Sequence, residues 1–239
     1  MRPSLYGADL AHVHIDGYGF HWERAAPTVL KWLREGGVRK GTVVDLGCGG
    51  GQWLARLQAK GYTAVGVDAS AAMIRAAKKR APGAKLIRGS FADVKLPPCD
   101  AVTSLGEPLN YLPGAREFRR TLKQVQTALR PGGLFIFDVR TPPTEKVATR
   151  AAGKTGNDWA CIAVIDESPT TQRLTRRITT FRRVGRNYRR SEEVHVLRLY
   201  TEAQIRDWLC DLGFRVRTFP NYGRYKLTPR QLVFVAQKC

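Results

Sequence analysis

Val43-Val44-Asp45-Leu46-Gly47-Cys48-Gly49-Gly50-Gly51-Gln52-Trp53-Leu54 is the stretch that decides the fold. A β-branched run ends in an acid, glycines follow at alternate positions, and apolar residues then recur at helical spacing (Leu54, Leu57). The pattern reads as strand, tight glycine turn and helix N-terminus. Glycine allows left-handed backbone and close approach of a ligand, and a helix start presents unpaired N–H groups. Gly47, Gly49 and Gly51 stand at steps of two and two. The dinucleotide fingerprint uses steps of two and three, its last glycine packing helix on strand; here position 52 is Gln. That spacing argues against a nucleotide-binding oxidoreductase. With no pyrophosphate to hold, Asp45 is free to take a ligand ammonium, directly or through water.

Working outward, the helix after the turn runs to about Lys60, and strand Thr63–Val67 ends at Asp68. A carboxylate at that strand end suits the two hydroxyls of a ribose; the alternative is a cap for the helix Ala71–Arg80, where Ser70 is the natural N-cap. Ala69 and Met73 then lie near an adenine edge. Strand Ala84–Arg88 leads into Gly89-Ser90-Phe91-Ala92-Asp93. Backbone groups of Phe91 and Ala92, with the side chain of Ser90 or Asp93, suit an adenine, an ordinary loop being the alternative. Strand Asp100–Leu105 is followed by Gly106-Glu107-Pro108, and a helix spans about Gly114 to Leu129. Arg130-Pro131-Gly132-Gly133 is a stop, and strand Leu134–Val139 is almost wholly apolar, as when helices cover both sheet faces. Upstream, residues 1–19 read as irregular and Phe20–Glu35 as an amphipathic helix.

These motifs, in this order, resemble the class I S-adenosylmethionine (SAM)-dependent methyltransferases: Val43–Trp53, Gly66-Val67-Asp68-Ala69-Ser70 with Met73, Gly89–Asp93, Asp100-Ala101-Val102 and Leu129-Arg130-Pro131-Gly132-Gly133. The resemblance spans roughly residues 20–140. It implies an α/β fold: a doubly wound, mostly parallel seven-stranded sheet with helices on both faces, its last strand antiparallel. It implies SAM as cofactor and S-adenosylhomocysteine as product. Carried over, Asp45 and Gly47 to Gly51 hold the methionine part, Asp68 the ribose, Phe91-Ala92 the adenine, and Leu105-Gly106 border the sulfonium.

After Pro142 the rhythm changes. Trp159–Asp166, Leu174–Arg183 and Tyr188–Tyr200 read as consecutive strands, an inserted antiparallel sheet at about 155–200. Helix Glu202–Leu212 and strands Phe214–Phe219 and Gln231–Gln237 close the chain. One domain over 1–239, with an N-terminal lid at 1–35, is the economical organisation.

Methyl transfer needs in-line alignment and exclusion of water; a hydroxyl or acidic carbon acceptor also benefits from a base. Candidate bases are Glu107, His14 and His195, with a capping acid and packing histidines as the plainer readings. His12 is a further histidine of the lid. Tyr18, Tyr111, Arg198 and Tyr200 are candidate substrate contacts. Strand alternation groups His195 with Glu193 and Leu197, and Arg198 with Tyr200 and Val196; one set faces the pocket. The Asn/Asp-Pro-Pro-Tyr/Phe motif of many nucleic-acid and protein amide methylases is missing after the fourth strand. Leu105-Gly106-Glu107-Pro108 stands there instead, which favours a small-molecule O, N or C acceptor.

The formal net charge of +20 keeps a polyanionic partner open. Eight arginines lie between Arg173 and Arg190, with no acid among them, and a solvated sheet face is the plainer reading. The competing readings are therefore an RNA or protein methyltransferase using 173–190, or a SAM-binding protein without catalysis. The five cysteines are scattered and odd in number, which suits reduced thiols in a cytoplasm. No metal is expected. No apolar run reaches membrane-spanning length, and Met1 to Tyr6 lacks a signal-peptide core. Monomer and homodimer are both open.

Overall fold

The computed structural model describes residues 5–239; the first four residues of the expected lid lie outside them. The main sheet contains β1 (Gly41–Leu46), β2 (Tyr62–Asp68), β3 (Lys85–Arg88), β4 (Cys99–Ser104), β5 (Leu129–Arg140), β10 (Phe214–Phe219) and β13 (Gln231–Lys238). Its order is β10-β13-β5-β4-β1-β2-β3. β13 runs antiparallel to both neighbours and the remaining pairings are parallel. This is the doubly wound seven-stranded sheet expected from the sequence.

Helices cover both faces. α2 (Phe20–Glu35), α3 (Gln52–Gln58) and α4 (Ala71–Arg80) lie on one side, with Val29, Leu33, Trp53, Leu54 and Leu57 in one core. α5 (Ala115–Ala128) and α6 (Glu202–Cys210) cover the other, through Phe118, Leu122, Val125, Ile205 and Leu209. β5 explains its own apolar run: Leu134 and Ile136 enter the first core, Phe135, Phe137 and Val139 the second. Ser70 caps α4, its Oγ accepting the Met73 N–H at 3.2 Å. The expected stop at Arg130–Gly133 is a bulge inside β5, where the register jumps from Cys99↔Leu129 to Ala101↔Leu134.

The second sheet is antiparallel, in the order β6 (Arg150–Thr155), β7 (Trp159–Ser168), β8 (Arg173–Val184), β9 (Asn187–Arg198). The insertion thus starts earlier than read from sequence and has one more strand. β6 is exposed along its length, so no apolar alternation marked it. Residues 1–19 also need correction: α1 spans Ala8–Gly17. His12, His14, Asp16 and Gly17 hid the helix, yet Leu10 and Val13 pack on Trp159, Cys161 and Ile178 of the second sheet. A short hairpin, β11 (Asn221–Tyr222) with β12 (Tyr225–Lys226), precedes β13.

Candidate active site

The strand order reverses between β1 and β4, the switch point where open α/β sheets bind ligands at their carboxyl edges. The loop after β1 and the loop after β4 meet there. Gly47 and Gly49 have φ of 78° and 50°, and the Gly49 N–H donates to Asp68 Oδ2 at 3.0 Å. The Ser70 N–H donates to Asp68 Oδ1 at 2.8 Å. Two backbone donors thus fix the Asp68 carboxylate, and each oxygen keeps a lone pair for a further donor. Burial raises the Asp68 acid.

Asp45 is buried and opposite Thr103 in the parallel β1–β4 register. Thr103 Oγ1 donates to its Oδ1 at 2.7 Å, and Trp53 Nε1 donates to Thr103 at 3.1 Å. Burial pushes the Asp45 acid up to about 7; the Thr103 hydrogen bond opposes this and the Asp68 charge adds to it. A ligand cation against Asp45 would reverse that shift. Close by, the indole N–H of Trp22 is buried without a hydrogen-bond partner. Trp22 and Asp45 line one small cavity with His14, Tyr18, Gly47, Gly49 and Leu105. A buried cation-seeking acid and an orphaned donor in one cavity fit the two ends of an amino acid zwitterion, so the residues present suit the methionine part of SAM.

A second cavity adjoins the first through Gly47, Gly49, His14 and Leu105. Asp68, Ala69, Met73, Phe91, Gly106 and Tyr111 line it, with Tyr6 from the N-terminal segment. The cavities measure about 60 and about 120 Å3, below the range usual for small-molecule sites. Tyr6 and α1 take up the room: Ser70 Oγ donates to the Tyr6 carbonyl at 2.7 Å, and Ile15 lies over the glycine turn, where a Cβ at Gly50 would meet it at 2.6 Å. Admission of a ligand therefore requires this segment to shift.

Other expected residues fall elsewhere. Gly51 (φ 79°) serves packing: a Cβ there would lie 2.8 Å from Ala77 Cα of α4. Ser90 Oγ accepts the Ala92 N–H within its own turn, and the Ala92 carbonyl is taken by Gln124, so the loop offers Phe91 alone to the cavity. Tyr200 is in the core against Phe118 and Trp208, with ring centroids 5.1 Å away in both cases. Arg198 turns outward to the Pro113 carbonyl. Its strand face is the solvent face, on which Val194 and Val196 are exposed, whereas His195 and Leu197 are fully buried.

The three candidate bases differ sharply. Glu107 (φ 65°) is buried, with Oε2 2.8 Å from Arg176 Nη2 and Oε1 3.4 Å from Arg140 Nε. Gln231 Nε2 also donates to it. Held by two guanidiniums, Glu107 fixes Arg176 and the post-β4 loop. His14 is stacked on Tyr18, and burial, then the charges of Arg176, His195 and His21, holds it down at about 4. It is a neutral wall of both cavities. His195 lies behind Tyr111, with Nδ1 3.2 Å from the tyrosine hydroxyl and Nε2 2.9 Å from Glu193.

Sequence reading missed Tyr6, Trp22, Glu193 and Asp138. Asp138, at the end of β5, is fully buried and accepts from Tyr222 Oη (2.6 Å), His21 Nε2 (3.2 Å) and the N–H groups of Gly106 and Glu107. It pins the loop that borders the second cavity. Burial alone would raise its acid, but His21 and the other donors take it below the ordinary value. His21 is raised in turn: burial opposes this, and the Asp138 charge and hydrogen bond win. An acid within an otherwise apolar strand was the available signal.

Residues 43–133 match the family model described as a methyltransferase domain. A Geobacillus sp. (strain WCH70) protein, whose name gives methyltransferase and no acceptor, is 27% identical over 206 residues, 82% of this chain and 81% of its own. The dTDP-4-amino-2,3,4,6-tetradeoxy-D-glucose N,N-dimethyltransferase of Saccharopolyspora spinosa is 26% identical over 225 residues, 91% of this chain and 90% of its own. Among solved structures, an S-adenosylmethionine-dependent methyltransferase of Clostridium acetobutylicum superposes with a TM-score of 0.81. It is 20% identical, with 95% of this chain and 97% of that one covered. Residues 43–133 thus match a methyltransferase domain, and the sheet topology around them is the fold of the class I SAM-dependent methyltransferases.

Proposed function

We propose that this methyltransferase acts on a small molecule bearing an amine, held between the second cavity and the N-terminal segment. SAM, when bound, supplies a sulfonium methyl that an acceptor lone pair attacks in line, the new bond to carbon forming as the S–C bond breaks. Asp45 holds the donor's ammonium and the Trp22 indole its carboxylate. Asp68 takes the ribose hydroxyls, and Met73 and Phe91 flank the adenine. Leu105 and Gly106 border the reacting carbon. Residues 1–35 act as a lid on a single domain, with the insertion as its roof. S-adenosylhomocysteine leaves, no metal takes part, and the cytoplasm is the expected compartment.

The observation that carries this reading is the continuity of the two cavities, with donor-side groups (Asp45, Asp68) below and Tyr6, His14 and Tyr111 above. A site this small suits a small acceptor better than a polymer. The amine class is supported by the Saccharopolyspora relative, which by its name methylates an amino sugar. The arginine stretch gives RNA little support, because much of it is spent within the molecule. Arg176 pairs with Glu107, Arg177 with Asp166, Arg182 and Arg189 with Asp9, and Arg190 with Glu192.

Calorimetry with SAM, followed by a panel of nucleotide-linked amino sugars, simple amines, hydroxylated acids and RNA, tests the proposal. Methylated amine and S-adenosylhomocysteine in equal amounts are expected. Turnover of RNA, with affinity falling steeply in salt, would refute the small-molecule reading. Failure to bind SAM would remove the assigned donor site.

A further inference from the structure

The carboxylate of Glu193 meets three donors from two distant parts of the chain. Its Oε2 accepts the Tyr6 N–H at 2.8 Å and its Oε1 the Gly7 N–H at 2.9 Å. Oε2 also lies 2.9 Å from His195 Nε2. An ionised carboxylate only accepts, so Nε2 carries the imidazole hydrogen and Nδ1 presents its lone pair. Tyr111 Oη lies 3.2 Å from that Nδ1 and donates to it. The tyrosine oxygen in turn faces Tyr6 Oη at 3.2 Å and Arg176 Nη1 at 3.4 Å. Tyr111 lines the cavity that Asp68, Leu105 and Gly106 share, and His195 is fully buried behind it.

We infer that Tyr111, His195 and Glu193 form a proton relay for the methyl acceptor, and that closure of Tyr6–Gly7 on Glu193 completes it. The inference rests on the amine-methylation reading above. An amine enters largely as an ammonium, which has no lone pair to attack with. Its proton passes to Tyr111 Oη, in place of the long 3.4 Å contact from Arg176 Nη1, as the tyrosine's own proton passes to His195 Nδ1. The net change is one proton moved from acceptor nitrogen to imidazole, leaving the nitrogen lone pair free. The Glu193 carboxylate stabilises the imidazolium, and the proton leaves for solvent when the segment opens. The same carboxylate holds the lid and sets the histidine tautomer, so an open site has no aligned base. The charged and titratable groups facing His195 are Glu193 on its own strand, Tyr6 and His14 from the N-terminal segment and α1, Tyr111 after β4, and Arg176 on β8. Glu107, by contrast, is committed to two arginines.

Glu193→Gln removes the charge from the relay. One amide oxygen replaces two carboxylate oxygens: placed as Oε2 it still accepts the Tyr6 N–H and the Nε2–H, and the Gly7 N–H loses its acceptor. The imidazolium then has no counter-charge. With an accepted amine, kcat is expected to fall about 100-fold or more, and SAM affinity to stay within about threefold. The low-pH limb of the kcat profile is expected to shift. Tyr111→Phe should cost as much, and the double variant no more than Tyr111→Phe alone, because members of one relay are not additive. Unchanged kcat and pH profile in Glu193→Gln, or losses that multiply, would overturn the relay. Nitrogen-15 NMR of His195 gives a readout that needs no acceptor: Nε2–H is expected in the wild type with S-adenosylhomocysteine bound. Wild-type Nδ1–H would overturn the assignment. No turnover of any amine, with the expected tautomer seen, would refute the acceptor reading and leave the hydrogen-bonded relay standing.

Discussion

Asp45→Asn should make the protein more stable and nearly useless. The Asp45 acid stands at about 7 against an ordinary 3.8, chiefly through burial. A folded-state value raised above the unfolded one contributes stability at low pH, and that contribution is lost as pH rises from about 4 to about 7. The interval corresponds to about 4 kcal/mol of cost at pH 8, a large share of a domain's usual stability of about 5–15 kcal/mol. Asparagine carries no charge and keeps an oxygen for the Thr103 hydroxyl. Its NH2 needs a new partner in a buried place, which returns about 1–3 kcal/mol of the gain. The net expectation is about 2 kcal/mol, or about 5 °C in Tm for a chain of this size. Thermal unfolding at pH 5 and pH 8 checks it: the variant's advantage should be present at pH 8 and shrink toward zero at pH 5. SAM at 100 times the wild-type Kd should stabilise the wild type by about 2.7 kcal/mol and leave the variant nearly unmoved. An advantage independent of pH, or equal stabilisation of both proteins by SAM, would refute the reasoning.

Three further outcomes follow from the same geometry. Trp22→Phe should weaken SAM about tenfold, the worth of one hydrogen bond to a charged group, and leave adenosine affinity unchanged by calorimetry; equal loss for both ligands would contradict the carboxylate assignment. Asp138→Asn breaks a buried pair with His21 and should cost about 3–5 kcal/mol in denaturant unfolding at pH 7. Because the Asp138 acid is lowered on folding, its contribution is present above the unfolded carboxylate range and lost as pH falls through the folded value. The variant's deficit should therefore shrink at pH 3. Gly51→Ala combines a φ of 79° with a 2.8 Å approach to Ala77 Cα and should cost about 1–3 kcal/mol, with SAM affinity per folded molecule unaltered.

The proposed donor half of the site can be read from sequence because its determinants are local. A strand end, a glycine turn and a helix start are adjacent in sequence, so Asp45, Gly47 and Gly49 declare themselves in a few residues. Asp68 needs only one more strand–helix unit. The register then does the rest: parallel pairing of Asp45 with Gly66 and with Thr103 brings β2 and β4 alongside at the same edge. Misreadings here were of degree. Gly51 and Ala92 are close to the ligand-facing residues in sequence, but the first is turned to α4 and the second into the core.

The acceptor half was illegible for the opposite reason. Tyr6, Tyr111, Arg176 and Glu193 lie on four separate segments, and no spacing rule links them. What joins them is the insertion's inward face. Residues of one β-strand face share a period of two, and either set of β9 was a fair reading. The decision came from packing: Val194 and Val196 face out against expectation for apolar residues, while His195 faces in because Tyr111 and Glu193 satisfy both ring nitrogens. The arginines mislead in the same way. Arg173 to Arg190 contains no acid, so a linear reading sees an unbalanced basic patch. The partners Asp9, Glu107 and Asp166 come from α1, the post-β4 loop and β7. Asp9 alone takes Arg189, Arg182 and Ser191, and is pulled down to about 2, mainly by Arg189. This contact ties α1 to the insertion beside the Glu193 latch. Charge that looks like a surface for a polymer is thus, in part, a clasp between the insertion and α1, made by Arg182 and Arg189 on Asp9.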